Sequence, residues 1–282
     1  MNAKYDLHAH TTASDGTLTP TELVEHALRR GLSLLAVTDH DSTEGVHEAM
    51  VRAAGTRLEV WPGVEISTDV PEAEVHMLGY FVNTTDPEFQ AILARLRESR
   101  VGRAEQMVAK LTSLGMPLSF ERVQQIAGTG AIGRPHVAQA MVEQGYVPTA
   151  KDAFTLYLGR NCPAYVERFK LTPEDAVQLI KRAGGMPVLA HPTYTVGNRE
   201  NFDLIGFVRE LREAGLVGIE CYYGDYAPEV VENLLGIARE LNLIPTGGTD
   251  FHGRNQSFVE LGERMVPVET LDSMRAWRLA RG

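Results

Sequence analysis

Residues 6–10 of the chain read Asp-Leu-His-Ala-His. Side chains two residues apart on a β-strand point to the same face, so His8 and His10 can reach one metal ion. Other predicted strands along the chain also end near a histidine or an acidic residue. We therefore expect the carboxyl ends of successive strands to carry a metal site, as the strands of a β/α barrel carry their active sites.

The wider pattern of the sequence is that of repeated βα units. Apolar runs rich in β-branched residues alternate with helical patterns that begin or end at Gly or Pro, and this alternation predicts a barrel. Thr19-Pro20 and Thr172-Pro173 each supply an N-cap followed by a proline suited to the first helical position. The seven predicted strands are 3–7, 33–37, 57–66, 75–81, 186–190, 218–221 and 244–248.

The βα alternation is interrupted between residues 86 and 170, where helix-forming sequence continues without a convincing strand. We predict a barrel from residues 1–98 and 170–282, and a helical insertion at 99–169. An insertion of that size in a barrel is expected to cover the substrate site and to select the substrate.

Composition excludes several classes of function. The 282 residues carry a net charge of −10, so no duplex nucleic acid is expected as a partner. The chain shows neither a secretory signal nor a long uninterrupted apolar stretch, which favours a cytoplasmic protein without a membrane partner. Two cysteines are too few for a disulfide framework.

The candidate metal ligands are histidines and acidic residues that end or closely follow predicted strands. A single histidine there is more often structural, but six histidines joined by three carboxylates favour a metal centre. These nine residues are His8, His10, Asp15, His40, Glu65, His76, His191, Asp250 and His252.

Imidazole and carboxylate ligands suit zinc, manganese or iron, and nine ligands are too many for one ion and more than two ions hold comfortably. We expect three divalent ions, with Mn²⁺ preferred and Zn²⁺ or Fe²⁺ as alternatives. Such a cluster would attract a phosphate and hydrolyse its ester by attack of a metal-bound hydroxide, without a covalent nucleophile. The sequence has no Walker loop, no GxGxxG after the first strand and no Gly-x-Ser-x-Gly elbow.

These residues resemble the motifs of the PHP (polymerase and histidinol phosphatase) family over residues 5–252. The matching stretches are Asp6-Leu7-His8-Ala9-His10, Ser14-Asp15-Gly16, Thr38-Asp39-His40-Asp41, Gly63-Val64-Glu65 with His76, Leu189-Ala190-His191-Pro192 and Gly248-Thr249-Asp250-Phe251-His252. The resemblance implies a distorted (β/α)7 barrel with a helical insertion domain. It also implies that Glu65 bridges two ions, and Asp39 or Asp41 is a candidate to orient His40.

The resemblance further implies how the nine ligands are shared among three ions. The first ion would be held by His8, His10, Glu65 and Asp250. The second would be held by Glu65, His76 and His191. The third would be held by Asp15, His40 and His252.

The insertion resembles that of bacterial PHP proteins described as nucleoside 3′,5′-bisphosphate phosphatases and as 5′-to-3′ exonucleases on short RNA. Within Gly133-Arg134-Pro135-His136, Arg134 can grip a phosphate with two hydrogen bonds and His136 can donate a proton to the leaving oxygen. We name both as candidate catalytic residues. Tyr194 and Tyr222 follow predicted strand ends, and Arg199 comes just after the loop that contains His191. The candidate substrate-binding residues are Arg134, His136, Lys170, Tyr194, Arg199 and Tyr222.

Removal of the 3′-phosphate from a small nucleoside bisphosphate is therefore the leading hypothesis, with trimming of the 5′ end of short oligonucleotides as a companion activity. A histidinol-phosphate phosphatase would use nearly the same metal motifs but does not explain the insertion. A metal-dependent amidohydrolase would usually need a strand-end lysine where this chain has Glu65. A non-catalytic barrel would be expected to have lost ligands.

Overall fold

Seven strands form one sheet, and their order in the sheet is their order along the chain. Neighbouring strands are parallel except at β4, which pairs antiparallel with both β3 and β5. The computed structural model describes residues 4–70, 74–128, 132–167, 169–195, 202–253 and 259–281. The strands are β1 (Lys4–Asp6), β2 (Leu32–Val37), β3 (Glu59–Asp69), β4 (Glu74–Tyr80), β5 (Met186–Leu189), β6 (Gly218–Tyr223) and β7 (Ile244–Gly248).

The sheet nearly closes on itself beyond the ends of β1 and β7. Ala9 and Phe251 form a parallel bridge, in which the His10 N–H donates to the Phe251 carbonyl oxygen at 2.8 Å. The Phe251 N–H in turn donates to the His8 carbonyl oxygen at 3.3 Å. These bonds confirm the predicted distorted (β/α)7 barrel, and the antiparallel β4 is the distortion.

The helices begin and end where the sequence signals predict. The Thr19 side chain accepts a hydrogen bond from the Glu22 N–H, and helix α1 ends before Gly31, whose φ of 82° is the left-handed conformation that suits glycine. The helices are α1 (Pro20–Arg30), α2 (Glu44–Ala53), α3 (Pro87–Ser113), α4 (Phe120–Ala127), α5 (Arg134–Glu143), α6 (Ala150–Ala153), α7 (Pro173–Arg182), α8 (Pro192–Thr195), α9 (Leu204–Ala214), α10 (Pro228–Glu240) and α11 (Val268–Leu279), and a π-helical turn covers Phe154–Leu158. Within the described ranges, no helix is both long and apolar enough to cross a membrane.

Contacts divide the chain into two compact units. The first consists of Met1–Ala91 and Lys170–Gly282 and contains the whole sheet. Its core includes the fully buried Trp61 and Tyr80. The second unit, Ile92–Phe169, contains helices and connecting loops where it is described, and it has its own apolar core. The predicted insertion at 99–169 lies inside this second unit.

Candidate metal centre

The nine candidate ligands meet at one edge of the barrel, where the parallel strands end. His8 and His10 follow β1, His40 follows β2, and Glu65 lies in β3. We expected His76 to end a strand, and this was wrong because it lies near the start of β4. Since β4 runs antiparallel to its neighbours, its start lies at the edge where the other strands finish, and His76 pairs with Ser67 of β3.

Glu65 lies at the centre of the cluster and is fully buried. Its Oε1 faces Nδ1 of His76 at 2.8 Å and Nε2 of His191 at 2.9 Å. Its Oε2 faces Nε2 of His8 and of His10, each at 3.1 Å, and Nδ1 of His40 at 3.3 Å. The two oxygens thus divide five imidazoles between them, as a carboxylate that bridges two ions would.

Asp250 and Asp15 complete the cluster on either side of Glu65. Oδ1 of Asp250 lies 3.2 Å from Nε2 of His8 and 3.0 Å from Nε2 of His10. Oδ1 of Asp15 lies 3.3 Å from Nε2 of His252, and its Oδ2 lies 3.7 Å from Nε2 of His40. Every candidate carboxylate therefore faces at least two imidazole nitrogens.

Several of these atoms are buried but are not used in hydrogen bonds. Nε2 of His10, Nδ1 of His40, Nδ1 of His191 and Oδ1 of Asp250 have no hydrogen-bond partner among the described residues. Nε2 of His10 thus faces two carboxylate oxygens without hydrogen-bonding to either. A buried polar atom without a partner is costly, and coordination to a cation would remove that cost. The donor set fits divalent ions.

Three groups of ligand atoms are close enough to hold a metal, with the atoms of each group within 4.8 Å of one another. The first group is the same as the first ligand set implied by the family resemblance. Each of the other two groups differs from its implied set by one histidine. His10 joins the group of Asp15, His40 and His252, and His40 takes the place of His191 beside Glu65 and His76. The groups are His8, His10, Glu65 and Asp250; His10, Asp15, His40 and His252; and His40, Glu65 and His76.

Opposite charges inside the cluster shift the pKa values of its members. Burial alone would raise the pKa of Glu65, but His40, His8 and His76 hold it well below its ordinary value. Burial likewise would raise the pKa of Asp250, which His8 and His10 instead lower. Burial would lower the pKa of His10, yet Asp250 and Glu65 raise it to about 10. In the absence of metal, a proton on His10 would offset part of the carboxylate charge.

We expect metal-free protein to lose stability as the pH rises from 6.5 towards 10. The pKa of His10 is raised from 6.5 to about 10 in the folded state, so its stabilising contribution is fully present below 6.5 and is lost as the pH passes through 10. Because a ligating imidazole must be deprotonated, affinity for Mn²⁺ should rise over the same interval. Urea unfolding of metal-free protein and Mn²⁺ titration at several pH values measure both effects, and two flat profiles would contradict this prediction.

Two polar side chains of β6 also reach the cluster, and neither was predicted from the sequence. Glu220 is fully buried, and its Oε1 lies 3.1 Å from Nδ1 of His8. The Tyr223 hydroxyl donates to Oδ2 of Asp250 at 2.8 Å. The signal for Glu220 was a carboxylate between Ile219 and Cys221 in an otherwise apolar strand. The predicted substrate ligand Tyr222 is half-buried and packs against an apolar cluster of the barrel.

The carboxylates beside His40 have other partners than that histidine. Asp39 accepts hydrogen bonds from the Thr11 N–H at 2.7 Å and from the Ser14 hydroxyl at 2.7 Å. Asp41 accepts from the Ser67 N–H at 2.9 Å. Asp39 therefore stabilises the loop that follows His10 through these hydrogen bonds. The prediction that Asp39 orients His40 was wrong.

The remaining candidate substrate ligands lie in different parts of the chain. Nζ of Lys170 forms an ion pair with Oδ2 of Asp69 at 2.6 Å in the barrel unit. In the second unit, Arg134 is the first residue of α5, and its guanidinium carbon lies 5.6 Å from the centre of the Phe154 ring. Nδ1 of His136 accepts from the Gly133 N–H at 3.0 Å. The side chain of Tyr194 and all of Arg199 lie outside the described residues.

The sequence of the chain matches a family model and is similar to known proteins. A family model described as the PHP domain matches residues 6–114. The 5′-3′ exoribonuclease Rnm of Escherichia coli is 35% identical over 264 residues, which cover 93% of this chain and 89% of that protein. The 3′,5′-nucleoside bisphosphate phosphatase of Chromobacterium violaceum is 35% identical over 270 residues, which cover 94% of each protein.

Two solved structures share the fold over nearly their full length. A candidate metal-dependent phosphoesterase from Bifidobacterium adolescentis has a TM-score of 0.83 at 31% identity, covering 100% of this chain and 97% of that one. A protein from Chromobacterium violaceum described as an amidohydrolase, solved with bound sulfate and no metal, has a TM-score of 0.84 at 32% identity. It covers 98% of this chain and 97% of that one.

Proposed function

This chain belongs to the PHP family and is a metal-dependent phosphoesterase, and from that premise we propose that it hydrolyses the 3′-phosphate of nucleoside 3′,5′-bisphosphates. The observation that carries the proposal is the set of buried ligand atoms around Glu65, several of which have no hydrogen-bond partner among the described residues. The choice of substrate is supported by the bisphosphate phosphatase, which aligns with nearly the whole chain.

We propose that the cluster holds three divalent ions, with Mn²⁺ as the expected metal. Three groups of ligand atoms support that number, and their mixture of nitrogen and oxygen suits first-row divalent metals. Such ions, when bound, supply Lewis acidity that offsets charge on phosphoryl oxygens and activates water near neutral pH. Glu65 belongs to two of the three groups, so it would hold the ions of those groups at a fixed spacing.

The burial of the ligands indicates the side from which substrate approaches. The side chains of His8, His10 and Glu65 are 0% exposed, whereas that of Asp15 is 33% exposed and that of His252 is 18% exposed. The first three are closed off from solvent, whereas Asp15 and His252, together with His76 at 19% and Asp250 at 17%, form a partly exposed rim. We propose that the phosphate enters at this rim.

We propose that Arg134 binds the 5′-phosphate and that His136 protonates the leaving oxygen. A guanidinium binds a phosphate through two parallel hydrogen bonds, which suits recognition of a terminal phosphate. Since Nδ1 of His136 accepts from the Gly133 N–H, a neutral ring carries its proton on Nε2, the nitrogen that would donate. The same 5′ anchor would serve exonucleolytic trimming of short 5′-phosphorylated RNA.

The function is tested by incubating the full chain and Mn²⁺ with adenosine 3′,5′-bisphosphate and with a 5′-phosphorylated oligoribonucleotide. We expect release of inorganic phosphate from the first, and release of mononucleotides from the second if both activities coexist. Inertness towards both compounds would reject the proposal. Hydrolysis of histidinol phosphate with comparable efficiency would instead favour the histidinol-phosphate phosphatase alternative.

The amidohydrolase alternative differs in the residue that bridges the ions. It usually requires a strand-end lysine, whereas Glu65 occupies the centre of this cluster and Lys170 is paired with Asp69. A panel of amide and lactone substrates, assayed beside the nucleotide with the same metal-loaded protein, separates the two alternatives. Turnover confined to the panel would support the amidohydrolase.

Replacing Arg134 with alanine is expected to raise the KM for adenosine 3′,5′-bisphosphate about 10- to 100-fold, because a charged hydrogen-bonded contact is worth roughly 1.5–3 kcal/mol. A 3′-nucleotide that lacks the 5′-phosphate should show little change. Arg122→Ala is the matched control, since Arg122 is an exposed arginine of the same unit that is paired with Glu143 at 2.8 Å. Equal effects of Arg134→Ala on both substrates would contradict the assignment.

A further inference from the structure

Strand β6 carries none of the nine candidate ligands, yet it turns two polar side chains towards them. We infer that Glu220 and Tyr223 are positioning residues, which hold His8, His191 and Asp250 where these can bind metal. This inference rests on the metal centre of the proposed function, and it concerns binding of the ions rather than the choice of substrate.

A register irregularity in β6 brings the two side chains to one face. Residues three apart on a regular strand point to opposite faces of the sheet. The pairing of β6 with β7 shifts register between Glu220 and Tyr222, and such an irregularity re-aims the residues that follow it. As a result Glu220 and Tyr223 both contact the cluster, while Tyr222 packs against the apolar core.

Glu220 uses its two oxygens for two different candidate ligands. Oε1 lies 3.1 Å from Nδ1 of His8, and Oε2 accepts from the His191 backbone N–H at 2.9 Å. A carboxylate beside Nδ1 favours the tautomer with its proton there, and this leaves the Nε2 lone pair of His8 directed at the cluster. The His191 backbone has a φ of 24°, which is unfavourable for a residue with a side chain. Glu220 thus sets a tautomer and holds a strained backbone.

Tyr223 acts in the same way on Asp250. Its hydroxyl donates to Oδ2 of Asp250 at 2.8 Å, which leaves Oδ1 facing His8 and His10. The backbone of Asp250 is also left-handed, with a φ of 53°. The Tyr223 ring lies 5.1 Å, centre to centre, from the ring of His191. One strand therefore fixes ligands that follow β1, β5 and β7.

The test compares Mn²⁺ binding by the full chain and by the variants Glu220→Gln, Tyr223→Phe and Tyr222→Phe, using equilibrium dialysis and the Mn²⁺ EPR signal. Glutamine keeps the size of Glu220 but replaces one carboxylate oxygen with an NH2 group, so either Nδ1 of His8 or the His191 N–H would face that group instead of an oxygen at the present distance. Loss of a partner that orients a metal ligand typically weakens binding about 10- to 100-fold. We expect that loss for Glu220→Gln and for Tyr223→Phe, and wild-type affinity for Tyr222→Phe.

Circular dichroism and thermal unfolding of the metal-free proteins separate positioning from folding. We expect metal-free Tyr223→Phe to unfold within a few degrees of the wild type while its Mn²⁺ affinity is reduced. If Glu220→Gln does not fold, Tyr223→Phe and the ¹⁵N chemical shifts of His8 decide, since the inference requires a proton on Nδ1. Wild-type Mn²⁺ affinity in Tyr223→Phe, or an Nδ1 of His8 that carries no proton, would overturn it.

Because these measurements involve no substrate, they distinguish the inference from the proposed function. A wild-type protein that binds Mn²⁺ but leaves adenosine 3′,5′-bisphosphate intact would reject the function and leave the roles of Glu220 and Tyr223 standing. Active wild-type protein whose variants retain full affinity would reject the inference alone.

Discussion

Glu65→Gln is expected to lower phosphatase activity by more than about 100-fold, because loss of an outer partner of a metal ligand alone costs 10- to 100-fold. Both Glu65 oxygens are used, Oε1 towards His76 and His191 and Oε2 towards His8, His10 and His40. An amide in either orientation directs an NH2 group at imidazole nitrogens and removes the central negative charge. Bound metal per chain, measured by elemental analysis, should fall together with kcat.

Glu59→Gln is the matched control for that experiment. Glu59 begins the same strand, but it is exposed and forms an ion pair with Arg275 at 2.7 Å. A surface pair of this kind contributes about 0–1 kcal/mol, so metal content and activity should stay near the wild-type values. A Glu65→Gln protein with full metal content and normal kcat would show that Glu65 is not a shared ligand.

Much of the barrel could be predicted because its signals are local. Thr19 and Gly31 define the ends of α1 through hydrogen bonding and backbone conformation, and both are readable from a few residues. The spacing of His8 and His10 likewise needs only the twofold repeat of a strand. All seven predicted strands are present, although β3 extends past residue 66 to Asp69.

The features that were missed depend on contacts between distant parts of the chain. The direction of β4, which brings His76 to the ligand edge, follows from its pairing with β3 and β5. The shared face of Glu220 and Tyr223 follows from an irregularity against β7. Tyr222 was named as a substrate ligand because it follows the end of a predicted strand. The register shift beside it leaves no mark in a single sequence.

The helical unit shows a different limit. Its helical pattern was readable, and α3, α4 and α5 occupy stretches for which helix was predicted. The helical periodicity does not show which polar residues of this unit bind a substrate, because that depends on the chemistry of the substrate. Arg134 and His136 were selected by family resemblance and by the chemistry of their side chains. The KM measurements on Arg134→Ala test the role proposed for Arg134.

Gly248→Ala is expected to disrupt the metal centre although residue 248 has no side chain to contribute. A Cβ at Gly248 would lie 2.5 Å from both the Cβ and the backbone nitrogen of His8, and 2.9 Å from Oδ1 of Asp6. Asp6 cannot easily move, because it accepts hydrogen bonds from the N–H groups of Thr249 and Gly262 at 3.0 and 2.8 Å. His8 must therefore shift, and Mn²⁺ affinity should fall together with a destabilisation of about 1–3 kcal/mol from overpacking.

Gly236→Ala is the matched control for Gly248→Ala, and we expect it to stabilise the protein. Gly236 lies within α10, and a Cβ there would meet no atom within 4 Å. Alanine should stabilise this helix by roughly 0.5–1 kcal/mol and leave metal binding unchanged. Thermal unfolding and Mn²⁺ titration of both variants measure the contrast, and equal affinities would refute the proposed role of the close approach. The backbone of β7 then takes part in the metal centre by its nearness to His8, because only glycine leaves room for that histidine to reach Glu65.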